Sequence, residues 1–346
     1  MSFAGIAAHE QALAILRHAL DHDRVAHAYL FEGPSGVGKE RAAMALATAL
    51  LCPRARAGEA CTCSVCERIL AGNHPDVRVF RPRDEGDRNI QVETVRGELL
   101  PFTKFAPFEG PAACVIFPEA DVSFPIHHAQ AANTLLKTLE EPRPLVTFVL
   151  LSERPDRLLP TIRSRCQRVR FRPLPAAALN DILAKHEVPE ALRAPAIALA
   201  QGRADRALAL AQPEGDNAAS LLERVLRVDA AVAAARPGEM LELAHELADS
   251  DQLELLMSAL SLFYRDVADS ALRGDDAQLA FPSSREQLYA RAATIGAVRA
   301  AERVAAIEEL AENLEQRNAN AEIALDALLF SFATNTTRLG TRPKTR

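Results

Sequence analysis

Tryptophan is absent from this chain and aromatic residues make up only 5% of it. That scarcity disfavours a function built on stacked bases, because such platforms need exposed rings. No stretch reaches the about 18 uninterrupted apolar residues of a membrane-spanning helix, and the first residues lack the basic-then-apolar pattern of a secretory leader. The expectation is a soluble, cytoplasmic protein with no membrane partner. Positive charge is not in excess either: 40 Lys and Arg against 46 Asp and Glu leave a formal charge of −6. The whole chain is therefore no nucleic-acid coat, although a local basic face is compatible with it. Internal repeats, low-complexity tracts, G-x-S-x-G and H-E-x-x-H are all missing, which removes the nucleophile-elbow hydrolases and the HExxH zinc proteases.

What is present is an ordinary globular composition, 49% apolar and 25% charged over 346 residues, with room for two or three domains each burying its own core. The most informative stretch is Phe31 to Lys39, F-E-G-P-S-G-V-G-K. Gly33, Pro34, Ser35, Gly36, Val37, Gly38 and Lys39 fit G-x-x-x-x-G-K, a loop whose backbone amides converge on an anion while the lysine meets the outer phosphates. The apolar run Ala28 to Glu32 reads as a buried strand and Arg41 to Leu51 as a strong helix, so strand, glycine turn and helix N-terminus come in the order phosphate binding requires. The alternative is a strand-to-helix turn whose glycines serve packing alone. The next position should carry a Ser or Thr hydroxyl for Mg²⁺, and it carries Glu40. A carboxylate there could approach a cation, but it repels phosphate oxygens.

Six cysteines fall at 52, 61, 63, 66, 114 and 166. In a cytosolic protein the clustering of the first four points to metal rather than disulfides. Cys52-x8-Cys61-x-Cys63-x2-Cys66 supplies four soft ligands on a segment that reads as a loop, suited to closed tetrahedral Zn²⁺ with no position left for a catalytic water. Free thiols are the alternative, because the C-x-C half needs a specific turn.

Further along, Val77 to Phe80 reads as a strand and Ile90 to Leu100 as a helix stopped before Pro101. The run Ala112 to Phe117 has the length of a central parallel strand. In a P-loop ATPase such a strand ends in an Asp for Mg²⁺ followed by a Glu that activates water. Here Pro118 takes the place of the Asp, and Glu119 remains. Phe124 to Leu139 forms a helix ending in Glu140-Glu141, read as solvated helix-end charge; Val146 to Leu151 is another buried strand; His127-His128 has no partner at ligand spacing. Leu159 to Cys166 (L-P-T-I-R-S-R-C) sets Arg163 and Arg165 two apart before the strand Arg168 to Phe171. An arginine supplied to a neighbour's phosphoryl-transfer site is worth roughly 10³ to 10⁵ in rate; a surface salt-bridge cluster is the equal alternative. Beyond Pro173 and Pro175 the chain turns helical, with a linker at Gln212 to Gly215 and helices at Leu221 to Val232, Met240 to Leu247, Gln252 to Val267 and Ala301 to Leu329.

His27 to Pro34, the cysteine cluster after Leu50-Leu51, His74-Pro75-Asp76, Asn133 to Pro142 (N-T-L-L-K-T-L-E-E-P) and Ile162 to Cys166 occur together and in order, and through them the chain resembles the bacterial clamp-loader AAA+ family from residue 1 to about 210. Its length and missing Asp look most like the non-motor branch. The resemblance implies an α/β P-loop AAA+ domain with a parallel sheet over 1–172, carrying a zinc-binding loop at 52–66. It also implies a small helical lid at 173–212, an all-α collar at 213–335 and a disordered tail at 336–346. It implies that Arg165 reaches the ATP of an adjacent gamma or tau ATPase subunit, that Lys137 lies near DNA phosphate, and that Arg206 is a lid-domain sensor, with Arg203 a competitor. The partners implied are gamma/tau and delta subunits in a hetero-oligomeric DNA polymerase III loader, with sliding clamp and primer-template DNA met through the complex. The intact glycines leave ATP or ADP binding open, whereas Glu40 and Pro118 both strike Mg²⁺ coordination, so hydrolysis should not survive. Two other functions are compatible with a P-loop: an active gamma/tau-type ATPase holding Mg²⁺ through Glu119 and Asp121, and a nucleotide kinase with a zinc-bearing lid. The separate helical C-terminal third disfavours the kinase.

Overall fold

The short apolar runs become the middle of a parallel sheet. In the computed structural model, which describes residues 3–82, 89–124, 129–212, 217–248, 250, 252–317 and 320–334, the chain divides into two compact units. One comprises 1–178 with 202–205, the other 179–201 with 206–346. His127-His128, most of the 212–215 linker and the tail after 335 lie outside the described residues.

The first unit opens with α1 (Glu10–Asp21), whose Leu13, Leu16 and Leu20 are buried. Then follow β1 (Ala28–Glu32), α2 (Lys39–Leu51), the short α3 (Pro53–Arg56) and α4 (Ser64–Leu70), and β2 (Val77–Val79). Next comes a composite helix: α5 (Val92–Thr94), a π turn over Val95–Leu99, and α6 (Leu100–Lys104). The expected stop before Pro101 does not occur. A π turn shifts the hydrogen-bond register by one residue, and a proline with no N–H is accommodated directly behind it. β3 (Ala113–Phe117), α7 (Ala120–Ser123), α8 (Ala129–Glu140), β4 (Val146–Ser152), α9 (Pro160–Arg163) and β5 (Gln167–Arg170) complete the unit.

All strands pair in parallel in the order β2-β3-β4-β1-β5. β4 is thus inserted between β1 and β3, and every residue of β1, β3 and β4 is buried, as central parallel strands covered on both faces must be. On one face Leu30, Val115, Phe117 and Phe148 pack with Val95 and Leu99, with Leu135 and Leu139 of α8, and with Ile162 and Cys166. β5 is an edge strand, pinned to β1 by Arg168, which donates from Nε and Nη2 (the latter 2.8 Å) to the buried Glu32 carboxylate. The carboxyl ends of β1, β3 and β4 carry the glycine loop, Pro118-Glu119 and Glu153 respectively, so the topology gathers them at the rim where open α/β sheets bind ligands.

The second unit is helical throughout. After most of α10 (Ala176–Lys185), α11 (Glu190–Ala200) and the latter part of α12 (Ala204–Leu210), it holds α13 (Ala218–Ala233), α14 (Pro237–Ala248), α15 (Leu253–Arg273), α16 (Arg285–Arg317) and α17 (Ala321–Ala333). The single helix expected over Ala301 to Leu329 is two. Asn320 starts the second, its side chain accepting from Ile323 N at 3.2 Å. Among the described residues no helix is long and apolar enough to cross a membrane.

Candidate functional site

The glycine loop has the backbone its sequence demands. Gly36 and Gly38 take φ of +65° and +103°, values that only glycine adopts without strain. Gly33 is needed for another reason: a Cβ there would lie 2.1 Å from the Phe171 carbonyl oxygen at the end of β5. Two contacts hold the loop from outside, His9 Nε2 2.8 Å from Val37 O and Ala204 N donating to Gly36 O at 2.9 Å. Lys39 opens α2, is buried, and turns its Nζ inward to donate to Gly33 O (2.5 Å) and Pro34 O (2.6 Å). Burial lowers its pKa, and the negative Glu153 and Asp121 oppose that shift.

Beside the loop is a cavity of about 610 Å³ that also reaches Arg81, Pro118, Glu119, Glu153 and Asp205. Glu40, at the metal-hydroxyl position, is taken by Arg81, which donates to both carboxylate oxygens, one at 3.4 Å and the other closer. Pro118 follows β3 where a metal-binding Asp would stand. Asp121 is buried and accepts from Arg154 N at 3.0 Å. The residues therefore fit a phosphate cradle, but not the usual Mg²⁺ ligand pair: Glu40 is ion-paired and Pro118 has no side-chain donor, while of the carboxylates lining the cavity Asp121 accepts a backbone amide and Glu119 stands beside it.

In the helical unit Arg206 Nη2 lies 3.0 Å from Glu254, and in the first unit Asp205 lines the cavity beside the loop and pairs with Arg203 at 3.1 Å. A Cβ on Gly36 would fall 1.7 Å from Asp205 Oδ1, so glycine is required there for space as well as for φ.

Arg165 follows α9. Its Nη1 donates to Thr161 O at 3.0 Å and its Nη2 lies 2.7 Å from Glu140 Oε1 at the end of α8, with about a third of the side chain exposed. Glu140 is thus engaged rather than merely solvated. Lys137, one turn earlier on α8, is exposed.

The four clustered cysteines converge. Their sulfurs all lie within 4.8 Å of one another, with Cys52 3.8 Å from both Cys61 and Cys63, and Cys63 3.6 Å from Cys66. Four thiolates about 2.3 Å from one Zn²⁺ stand about 3.8 Å apart along each tetrahedral edge, so the set fits the ion. The segment is not all loop: Cys52 ends α2, and Cys63, in extended backbone (φ −68°, ψ 163°), starts α4. Hydrogen bonding, from the Cys66 amide first, lowers the Cys63 thiol to about 6, whereas burial raises that of Cys66. His74 is not among these ligands. It is buried, its Nδ1 accepting from Asp76 N at 3.2 Å.

The sequence marks neither Arg81 nor Asp205 as a site residue, and it marks Glu140 only as helix-end charge, not as the partner of Arg165. Arg81 sits at the head of a polar connector and Asp205 beside two arginines, so neither carries a motif; only the fold brings them to the rim.

Residues 8–175 match the family model described as DNA polymerase III, delta subunit. Curated relatives include DNA polymerase III subunit delta' of Bacillus subtilis, 38% identical over 178 residues (51% of this chain and 52% of that one), and of Pseudomonas aeruginosa, 42% identical over 156 residues (45% of each). DNA polymerase III subunit tau of Bacillus subtilis is 30% identical over 267 residues, 75% of this chain and 46% of that protein. The chain thus spans about half the length of the curated relatives it matches. Over residues 8–175 this chain is therefore similar to DNA polymerase III delta-prime subunits.

Proposed function

We propose that the chain is a non-catalytic subunit of a bacterial, cytoplasmic DNA polymerase III clamp loader, helping to open and load the sliding clamp on primed DNA. In this reading it assembles with gamma/tau and delta subunits through a collar over 213–335, with 173–212 as lid. It lends Arg165 in trans to the ATP of a neighbouring gamma/tau subunit. Lys137 meets DNA phosphate, and Cys52, Cys61, Cys63 and Cys66 hold a structural Zn²⁺.

One observation carries the proposal. The cavity's own metal positions are disabled, with Glu40 paired to Arg81 and Pro118 in place of the Asp, while Arg165 is anchored and reaches the surface. Without a divalent cation nothing offsets charge building on the β- and γ-oxygens during hydrolysis. Gly33 to Lys39 would still hold ATP or ADP through backbone amides and Nζ. What Arg165 supplies elsewhere is a guanidinium, planar and always charged, matched to phosphate oxygens.

The test is reconstitution. Arg165→Ala should leave assembly intact and lower DNA-stimulated ATP turnover of the loader tenfold or more, a conservative share of the roughly 10³ an arginine finger can supply; an unchanged rate would defeat the assignment. The intact cradle favours the second reading, an active gamma/tau-type ATPase. Steady-state hydrolysis by the purified chain, abolished by Lys39→Ala, would decide for it.

A further inference from the structure

We infer that Glu140 is the positioning residue for Arg165, an inference that rests on the in-trans role just proposed. The guanidinium has five N–H donors in one plane. Among the described residues, one from Nη1 goes to Thr161 O at 3.0 Å and one from Nη2 faces Glu140 Oε1 at 2.7 Å, which leaves three for a phosphate brought from outside. Both anchors belong to this chain and come from different elements, the carbonyl from α9 and the carboxylate from the end of α8. Leu139, Ile162 and Cys166, the immediate neighbours of the pair, lie in one buried cluster, so packing sets the separation of the two anchors independently of the ion pair.

The carboxylate is also where helix electrostatics would not put one. The last turn of a helix carries the negative end of its dipole and favours cations, yet α8 ends on Glu140 with Glu141 next. An arginine held against Glu140 offsets that cost. It also removes rotamer freedom that a long side chain in solvent would otherwise lose on meeting phosphate. Lys137 stands three residues earlier on the same helix, about 4.5 Å along its axis. Any displacement of α8 at that position therefore moves the carboxylate and, with it, the guanidinium.

The experiment uses the reconstituted loader with primed DNA, comparing wild type, Glu140→Ala, Glu140→Gln, Arg165→Ala and the double variant E140A/R165A. Glu140→Ala should lower kcat for ATP about five- to tenfold, the scale of one partly exposed charge-assisted contact, with KM and assembly unchanged. Glu140→Gln should recover more than half of the loss, because its amide oxygen still accepts from Nη2. The double variant should be no slower than Arg165→Ala alone. Glu140 is half exposed, so folding is not at stake; Glu140→Leu, similar in length but without an acceptor, should match Glu140→Ala. A wild-type or faster rate for Glu140→Ala, or an additive loss in the double variant, overturns the inference and leaves the in-trans role standing. If Arg165→Ala itself changes nothing, the in-trans role falls and this inference falls with it.

Discussion

At the scale of single residues, the side chains that matter most are those whose partners lie far away in sequence. The glycines at 36 and 38 could be read directly, since a motif of that spacing demands left-handed backbone, which both adopt. Glu40 could be read as wrong for Mg²⁺, but not as neutralised, because Arg81 lies 41 positions on. His74 shows the same limit and yields a pH test. Burial holds it below the ordinary histidine value, with Glu109 pulling it up and Arg68 pushing it further down. The folded chain therefore binds that proton less tightly than the unfolded one. The site's stabilising contribution is complete above the unfolded value of about 6.5 and is lost as pH falls below it. Urea midpoints should drop between about pH 7.5 and 5.5, more for wild type than for His74→Gln; equal drops would remove His74 as the cause. Gly36→Ala should weaken any nucleotide binding at the loop, since its Cβ meets both unfavourable φ and the Asp205 carboxylate. Titration with a fluorescent ATP analogue checks it.

At the scale of elements, strand positions were the most legible. β1, β3 and β4 begin and end within a residue of their apolar runs, because a strand covered on both faces must be apolar throughout. The helix through Pro101 and the break before Asn320 differ from the sequence expectation, the first because a π turn leaves no mark in periodicity, the second because one polar cap interrupts an otherwise helical pattern. The cysteine segment contains two short helices rather than loop alone. If it holds zinc, protein purified without chelator should carry about one ion per chain, and Cys61→Ser should reduce that content. Proteolysis within 53–66 should rise on chelation. Metal analysis finding none would dismiss the site.

At the scale of the whole molecule, the helical unit encloses a polar network that no local pattern announces. Tyr264 donates to Asp229 Oδ1 at 2.9 Å, Arg291 Nε donates to Oδ2 at 2.8 Å, and Arg303 donates to Tyr264 and to Phe332 O, both at 2.9 Å. The Arg303 guanidinium also lies 5.0 and 4.9 Å from the Tyr264 and Phe332 ring centres. Asp229→Ala would leave the buried Arg303 and the half-buried Arg291 short of their counter-charge and should cost about 3 kcal/mol in urea unfolding, with Asp229→Asn costing less; a loss within experimental error would show the network to be dispensable. Four helices joined by one ionic knot explain why the unit coheres, yet each of its residues reads in sequence as one more polar position on an amphipathic helix.

Taken alone, the order of residues decided the parallel sheet, the left-handed glycine loop and the clustering of the four thiols, because each depends on spacing within one or two neighbouring elements. Folding in three dimensions decided that Arg81 pairs with Glu40, that Asp205 faces the cavity, and that Glu140 holds Arg165. Those pairings join side chains whose separation along the chain carries no information about their distance in space, and only the packing of strands and helices between them sets it.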